Sequence, residues 1–249
     1  MQKLIHTAVH KALTERPSRR RDTVLWVSDL GRNPYGALRR ILTGELEPFD
    51  FPTHLKMDGG NALEAFTLRQ VAENLERPVQ TQFPLFDDIW TGYADLVIGH
   101  GTDDVAIYDH KGSCGKWWDY KVSLPRAADC CQVWLYGQLY RKQYGVEPRL
   151  GLYYRGWGAW AEFEIKLVTV DDRFGLEATG YVTDEKGVTE NAVTRIREVD
   201  PFLVCGEIQG LYLQAKYGEL TEIDLEAMAP DGPDWDYAED ITRRIRAGE

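Results

Sequence analysis

The feature that most constrains the fold is a change of hydrophobic period near residue 79. Before it, apolar residues recur with helical spacing, and after it three consecutive segments alternate apolar and polar residues as strands do. The predicted elements are a helix at 58–75, strands at 81–86, 90–99 and 103–112, a helix at 125–145, and strands at 149–154 and 160–168. A helix, three strands, a helix and further strands in this order predict an α/β domain.

Further helices are expected on both sides of this core. Ser28 and Asp29 offer an N-cap to a basic helix with Pro34 in its first turn and Gly44 at its end, and a proline-containing loop follows at 45–54. The other predicted helices lie at about 1–15, 171–182 and 201–218, with a short basic helix at the C-terminus. We therefore expect one domain over residues 1–249, with a core at about 24–168 and a helical extension at about 169–249.

The net charge restricts the class of partner. The chain has 29 Lys and Arg against 40 Asp and Glu, a formal charge of −11, whereas a protein that coats nucleic acid without specificity needs an excess of cations. Local basic runs remain, at 16–21 and again at Arg39 and Arg40. Arg39 and Arg40 are candidate phosphate contacts, and a solvated helix face is the alternative.

The sequence gives no sign of a membrane or of secretion. No apolar run approaches the roughly 20 residues of a spanning helix, and the N-terminus lacks the apolar region of a signal peptide. The four cysteines form no Cys-x-x-Cys pair, so reduced thiols are expected. These features predict a cytoplasmic protein without a membrane partner.

Two carboxylates stand in apolar surroundings. Glu64 shares a helical stripe with Leu68, Val71 and Leu75, where a carboxylate is costly to bury unless it is paired or binds a cation. A helix edge that reaches solvent is the alternative. Asp95 lies within an apolar strand, although Asp is depleted in strands. Both positions therefore call for a functional explanation.

Asp109 and Lys111 lie at the end of the third strand. Because side chains alternate along a strand, both project to the same face. If the second and third strands form a hairpin, Asp95 lies opposite or diagonal to Asp109, and two close carboxylates repel unless a cation lies between them. Mg²⁺ prefers oxygen ligands and keeps several waters. The backbone carbonyl of His110 is a further candidate ligand.

Such a group is suited to phosphodiester hydrolysis. A bound divalent ion polarises the phosphoryl oxygen and acidifies a water, while Lys111 orients or deprotonates that water or stabilises the developing charge. Glu64 would hold the metal or one of its waters. In the next helix, Gln132 and Tyr136 are spaced i, i+4 on one face. They are candidate substrate contacts, with core packing of Tyr136 as the alternative.

Five short motifs resemble the RecB-type branch of the PD-(D/E)xK nuclease superfamily, which includes CRISPR-associated and phage exonucleases. They are Ser28-Asp29-Leu30, Gly60 to Glu64, Gly92 to Asp95, Asp109-His110-Lys111, and Gln132 to Tyr136. They occur in the family's order and on the expected elements, within a segment from Asp29 to about Tyr154 that covers about half of the chain. The resemblance implies a restriction-endonuclease-like α/β core, a central mixed β-sheet flanked by helices, with extra N- and C-terminal helices.

The resemblance also implies the activity. We expect a Mg²⁺- or Mn²⁺-dependent deoxyribonuclease, an exonuclease rather than a sequence-specific endonuclease. Its partner would be DNA, single-stranded or at duplex ends, in the cytoplasm of a bacterium or a phage-infected host cell. Glu64, Asp95 and Asp109 would hold the metal, and Lys111 would be the catalytic lysine. The oligomeric state is left open.

Two departures from the family pattern refine this expectation. Leu63 stands where relatives have a helical histidine that can bind a metal, which suggests fewer metal ligands, with His54 and His110 as weaker substitutes. The family's four cluster-binding cysteines are also missing, since the first position is about Asn33 and the C-terminal region holds only Cys205. No iron–sulfur cluster is therefore expected.

Some alternatives stay open. Asp119-Tyr120-Lys121 repeats the Asp-x-Lys spacing in a predicted loop, after Trp117 and Trp118, which suit either base stacking or packing. At the level of function, the same fold would serve as a catalytically inactive module that binds nucleic acid or protein. A metal-dependent hydrolase of another phosphate ester is a third, weaker interpretation.

Overall fold

The structure is a computed structural model, and it describes residues 24–31, 34–44, 51–112, 125–156, 159–183, 192–228 and 236–248. Several parts of the sequence considered above lie outside these ranges: the helix predicted at 1–15, the basic run at 16–21, Asn33, the fourth cysteine Cys114, and the segment that holds Trp117, Trp118, Asp119 and Lys121. The side chain of His54 is also outside the described part.

Eight strands and seven helices are described. In chain order they are β1 (Leu25–Trp26), α1 (Val27–Leu30), α2 (Pro34–Thr43), α3 (Phe51–Asn74), β2 (Val79–Phe86), β3 (Trp90–Ile98), β4 (Ala106–Gly112), α4 (Ala127–Tyr144), β5 (Arg149–Arg155), β6 (Trp160–Val170), β7 (Arg173–Val182), β8 (Val193–Arg197), α5 (Pro201–Tyr217), α6 (Glu222–Met228) and α7 (Tyr237–Ala247).

The strands form one mixed sheet in the order β1-β3-β4-β5-β6-β7-β8, with β2 paired to β3. The pairs β1–β3 and β4–β5 are parallel, and the other pairs are antiparallel. The predicted hairpin of the second and third strands is confirmed by the antiparallel pairing of β3 with β4. Helix α4 supplies the crossover that a parallel β4–β5 pair requires. The chain is therefore an α/β protein with a mixed sheet flanked by helices.

Helices α3 and α4 cover opposite faces of β4. Lys111 contacts Gln132 of α4, whereas a Cβ built on the neighbouring Gly112 would point at the backbone of Gly60 in α3. Successive strand residues point to opposite faces, so the sheet lies between the two helices. The buried core includes Ile107 and Leu152 of the sheet.

The sheet is forked at β3. One edge of this strand pairs with β2 along nearly its whole length. On the other edge, β4 pairs only with Leu96 to Ile98, and β1 pairs only with Trp90 and Thr91. Residues 92–95 therefore face the gap between β1 and β4, and this gap is where the candidate site lies.

Two sequence predictions are corrected here. The loop predicted at 45–54 ends earlier than expected, because α3 already begins at Phe51. Pro52 falls in the first helical turn, where a residue without an N–H loses no helical hydrogen bond.

The helix predicted at 171–182 is wrong, because these residues form the strand β7. Asp171 and Asp172 have φ values of 48° and 61°, between the paired residues Val170 and Arg173. Positive φ at both central residues is the geometry of a tight two-residue hairpin turn. The sheet therefore continues through β8, and the region after residue 168 is not wholly helical as predicted.

The predicted C-terminal ends of two helices agree with the structure, whereas Ser28 and Asp29, predicted as an N-cap, lie inside the short helix α1. Gly44 and Gly145 both have positive φ and donate their N–H to the preceding turn of α2 and α4. Cys130, Cys131 and Cys205 are free and buried, as expected for reduced thiols. No helix among the described residues is long and apolar enough to cross a membrane.

Candidate active site

The carboxylate of Asp95 fills the fork in the sheet. Its Oδ2 accepts the backbone N–H of His110 at 2.7 Å, just beyond the last residue pair of β3 and β4, Leu96 with Tyr108. A side-chain oxygen thus takes a hydrogen bond that a strand carbonyl would accept in an unbroken ladder. Asp95, which is 9% exposed, is thus held at the position where β3 and β4 separate.

Three carboxylates lie near one another at this position. Burial, and then the negative charges of Asp109 and Glu64, raise the pKa of the Asp95 carboxyl well above its usual range. The N–H of His110 and the ammonium group of Lys111 act in the opposite direction without cancelling the effect. The raised pKa of this buried carboxyl therefore indicates a local excess of negative charge.

The approach of α3 to the sheet explains how Glu64 reaches the site. Gly60 of α3 and Gly112 of β4 lie against each other, since a Cβ on Gly112 would come within 3.0 Å of the Gly60 carbonyl oxygen. Glu64 follows Gly60 by one helical turn, on the same helix face. Gly60 therefore allows a close contact between α3 and the sheet, and this contact sets how near Glu64 lies to the sheet.

Lys111 is held in a network of acidic and amide groups. Its Nζ lies 2.8 Å from Asp109 Oδ2 and 3.5 Å from Asp129 Oδ1, and it donates to Gln132 Oε1 at 2.6 Å. Burial lowers the pKa of Lys111, but the charges of Asp109 and Asp129 outweigh that effect and raise it above its ordinary value. Lys111 is therefore a cation at neutral pH, and its side chain remains 25% exposed.

Gln132 connects the lysine to the acid. Its Nε2 donates to Asp109 Oδ1 at 2.8 Å while its Oε1 accepts from Lys111. The side chain is 3% exposed, so both ends of the amide serve the protein itself. Gln132 fixes the relative positions of Asp109 and Lys111, which differs from the direct substrate contact proposed from the sequence.

Tyr136, Arg39 and Arg40 lie away from solvent or are engaged in ion pairs. Tyr136 is 2% exposed and packs in the core, where a Cβ on Gly92 would come within 2.9 Å of its ring. Arg39 pairs with Glu222 at 2.6 Å and Arg40 with Asp29 at 3.4 Å. Arg39 has the most exposed side chain of these three residues, at 51%.

His110 places its ring on the other side of its strand. The ring is 5% exposed, lies 5.8 Å from the ring of Tyr153, and has no hydrogen-bond partner on either nitrogen within the described part of the chain. Burial, then the charges of Arg155 and Lys111, lower the pKa of His110 to about 4. The imidazole is therefore neutral at physiological pH. Leu63, at the position where the resemblance would place a helical histidine, is buried.

Two residues of the site were missed in the sequence analysis. Asp129, which is 3% exposed, accepts the hydroxyl of Tyr154 at 2.8 Å besides facing Lys111. An acidic residue in a first helical turn has an ordinary explanation in the helix dipole. Its position three residues before Gln132, on the same helix face, was the available signal.

The second missed residue is Gln82 of β2. Its Nε2 donates to Glu64 Oε1 at 3.1 Å and to Asp95 Oδ1 at 3.0 Å. A glutamine in an alternating strand carries no sequence signal of its own. Its relation to Asp95 depends on the β2–β3 register, in which Thr81 pairs with Leu96 and Phe83 with Ala94.

The donor set has the chemistry of a hard-cation site. Carboxylate oxygens are the preferred ligands of Mg²⁺ and Mn²⁺, and a cation would relieve the repulsion that raises the pKa of Asp95. Among the described residues, no three His, Cys, Asp or Glu side chains are arranged to hold an ion as they stand. The donors of Gln82 and Lys111 engage the carboxylate oxygens instead.

No protein-family model matches the chain, and no curated protein is significantly similar to it. The residues of the site themselves therefore carry the functional proposal.

Proposed function

We propose that the chain is a divalent-metal-dependent deoxyribonuclease built on a PD-(D/E)xK core. The observation that carries the proposal is the convergence of Glu64, Asp95 and Asp109 at the fork of the sheet, with Lys111 bound to Asp109 at 2.8 Å. Four residues from three separate motifs lie near one another. A helix, a forked set of strands and a crossover helix support the restriction-endonuclease-like core.

The proposed chemistry is hydrolysis of a phosphodiester bond. Glu64, Asp95 and Asp109 would hold Mg²⁺ or Mn²⁺, together with the backbone carbonyl of His110, and the bound ion supplies Lewis acidity and an acidified water. Lys111 is protonated, so it stabilises negative charge on the phosphoryl group and orients the water rather than removing its proton. Gln132 and Asp129 keep the ammonium group beside Asp109.

DNA is the proposed substrate, and cleavage from an end is the proposed mode. Both follow from the resemblance of the motifs to RecB-type exonucleases. Arg39 is the better placed of the two basic candidates for a phosphate contact because its side chain is half exposed. Arg40, at 13% exposure, pairs with the buried Asp29 and stabilises the contact between α1 and α2. As expected from the sequence, we also propose a cytoplasmic location and a site without an iron–sulfur cluster.

The test uses end-labelled single- and double-stranded DNA with Mn²⁺ or Mg²⁺. We expect wild-type protein to hydrolyse DNA, and Asp109→Asn and Lys111→Ala to lower the rate by about 10²–10³-fold, as for loss of a group that stabilises developing charge. Asp103→Asn is the matched control, because Asp103 is an exposed carboxylate just before β4. Full activity in Asp109→Asn and Lys111→Ala would overturn the assignment.

The mode of attack has a separate test. An exonuclease degrades linear DNA and leaves a covalently closed circle of the same sequence intact, whereas an endonuclease cleaves both. Cleavage of the circle at a rate similar to that of the linear form would contradict the exonuclease proposal and leave the metal-dependent chemistry standing.

A catalytically inactive binding module is the second candidate. The observation in its favour is Leu63, a core residue at the position of the family's helical histidine. This candidate predicts DNA or protein binding without hydrolysis in any divalent metal. Hydrolysis that is lost in Asp109→Asn would exclude it.

A further inference from the structure

Gln82 has an unusual backbone for a strand residue. It lies in β2 between two regularly paired neighbours, Thr81 and Phe83, yet its φ is +51°. Residues with a side chain rarely adopt this left-handed region, and they keep it only where the surroundings enforce it. The backbone conformation of Gln82 therefore comes at a cost that some other interaction must offset.

The interaction that offsets the cost of the positive φ is a hydrogen-bonded bridge from the Gln82 side chain to two acids. A primary amide has two N–H donors, and Nε2 of Gln82 engages Glu64 on α3 at 3.1 Å and Asp95 on β3 at 3.0 Å. Each is a charge-assisted bond to a carboxylate when the acid is ionised. The bridge links the helix to the forked strand across the candidate site.

The bridge occupies oxygen lone pairs that a cation would need. Glu64 Oε1 and Asp95 Oδ1 both face the same amide nitrogen, and an N–H donor and a hard cation compete for the same electron pairs. Lys111 engages the third acid, Asp109, from another direction. Gln82 is thus a donor shared by Glu64 and Asp95.

We infer that Gln82 is a positioning residue whose amide links Glu64 and Asp95, and that this amide must leave the two carboxylates before a divalent cation binds between them. The inference rests on the proposed function, because it assigns the cation to these acids. Gln82 does not react with the substrate; it sets the concentration of metal at which the site becomes loaded.

Calorimetric titration with Mn²⁺ tests the inference without depending on hydrolysis. Gln82→Ala removes the amide, and Gln82→Gly removes both the amide and the cost of the positive φ. We expect both variants to bind Mn²⁺ about tenfold more tightly than wild type, since the free energy of two net hydrogen bonds at an exposed site is of that order. The Mn²⁺ concentration for half-maximal hydrolysis should fall in parallel.

Gln80→Ala is the matched control. Gln80 lies on the same strand, two residues earlier, is exposed, and pairs with Val97. It should leave the Mn²⁺ affinity unchanged. Gln82→Gly should be more stable to urea than Gln82→Ala, because glycine tolerates positive φ, while the two variants share one Mn²⁺ affinity. That combination of results would distinguish the effect of the side-chain amide on Mn²⁺ affinity from the effect of the backbone conformation on stability.

The outcomes distinguish this inference from the proposed function. Mn²⁺ binding that is lost in Asp109→Asn but is equal or weaker in both Gln82 variants would overturn the role of Gln82 and leave the nuclease proposal intact. Binding by the variants but not by wild type would support the role of Gln82 directly. Absence of Mn²⁺ binding and of hydrolysis in wild type and variants alike would overturn both.

Discussion

The carboxylate of Asp95 accepts the backbone N–H of His110, with 2.7 Å between Oδ2 and the nitrogen. This bond continues the ladder between β3 and β4 for one step after the strands have separated. The same carboxylate is one of the three acids of the site. Asp95 therefore has a structural role and a chemical role, and a substitution has to be designed so that the two can be told apart.

Asp95→Asn should make the metal-free protein more stable at neutral pH. The pKa of Asp95 is raised in the folded state above its ordinary value of 3.8, so protonation favours folding. The contribution of Asp95 to stability is fully present below about pH 3.8 and is lost as the pH rises through the folded pKa. Asparagine keeps an oxygen acceptor for His110 but carries no charge to desolvate.

The measurement is urea unfolding in EDTA at several values between pH 5 and pH 8. The stability of Asp95→Asn minus that of wild type should grow with pH, because the raised pKa of the Asp95 carboxyl makes its ionisation in the folded protein unfavourable. Asp103→Asn, at an exposed position, should show no such trend. A difference between Asp95→Asn and wild type that is constant over this range would contradict the assignment of the raised pKa.

Gly31→Ala should damage the site more than the fold. Gly31 follows α1, and a Cβ built on it would lie 1.8 Å from Gln132 Oε1 and 3.0 Å from Lys111 Nζ. The end of the Gln132 side chain has to move, which breaks its bonds to Asp109 and Lys111. We expect the rate of DNA hydrolysis to fall at least about tenfold, as for loss of about 1.4 kcal/mol of transition-state stabilisation.

Gly36→Ala is the control for this change. Gly36 is in α2, and a Cβ there meets nothing within 4 Å, so alanine should be neutral or stabilising by up to about 1 kcal/mol. Thermal unfolding and the hydrolysis rate should be measured for both variants. An active Gly31→Ala protein would show that the Lys111–Gln132–Asp109 network is not needed for the chemistry.

The core of the fold was predictable from the sequence because its elements carry local signals. The alternation at 81–86, 90–99 and 103–112 and the glycine stops at Gly44 and Gly145 all correspond to observed elements. The hairpin at Asp171 and Asp172 was missed because its turn has no glycine. Two aspartates before a half-buried strand resemble the start of a helix, since Asp is also common at N-caps.

The site was predictable only where a residue conflicted with its local surroundings. Asp95 in an apolar strand and Glu64 on an apolar stripe were such conflicts, and both lie at the fork. Gln82 and Asp129 fit their own elements, so their part in the site depends on the register of β2 with β3 and on the packing of α4 on β4. Gln132 was identified, but its role as a link between Asp109 and Lys111 depends on contacts across α4 and β4.

The contact between α3 and β4 provides a last prediction, because its two glycines are not equivalent. A Cβ on Gly112 would lie 3.0 Å from the Gly60 carbonyl oxygen and 3.2 Å from Cε1 of His110, whereas a Cβ on Gly60 would meet the Gly112 carbonyl oxygen at an ordinary 3.5 Å. Gly112→Ala should therefore push α3 from the sheet at a cost of about 1–3 kcal/mol. Gly60→Ala should be neutral or gain about 0.5–1 kcal/mol, since alanine is preferred to glycine within a helix.

Urea unfolding gives the two stabilities, and Mn²⁺ titration reports the position of Glu64, which lies one turn beyond Gly60 on α3. We expect Gly112→Ala to weaken Mn²⁺ binding, because the displaced helix α3 carries Glu64 away from Asp95. Gly60→Ala should retain wild-type affinity. If Gly112→Ala loses stability but binds Mn²⁺ as wild type does, Glu64 is not required for the metal, and the acid pair Asp95 and Asp109 is the part of the site that has to be retained.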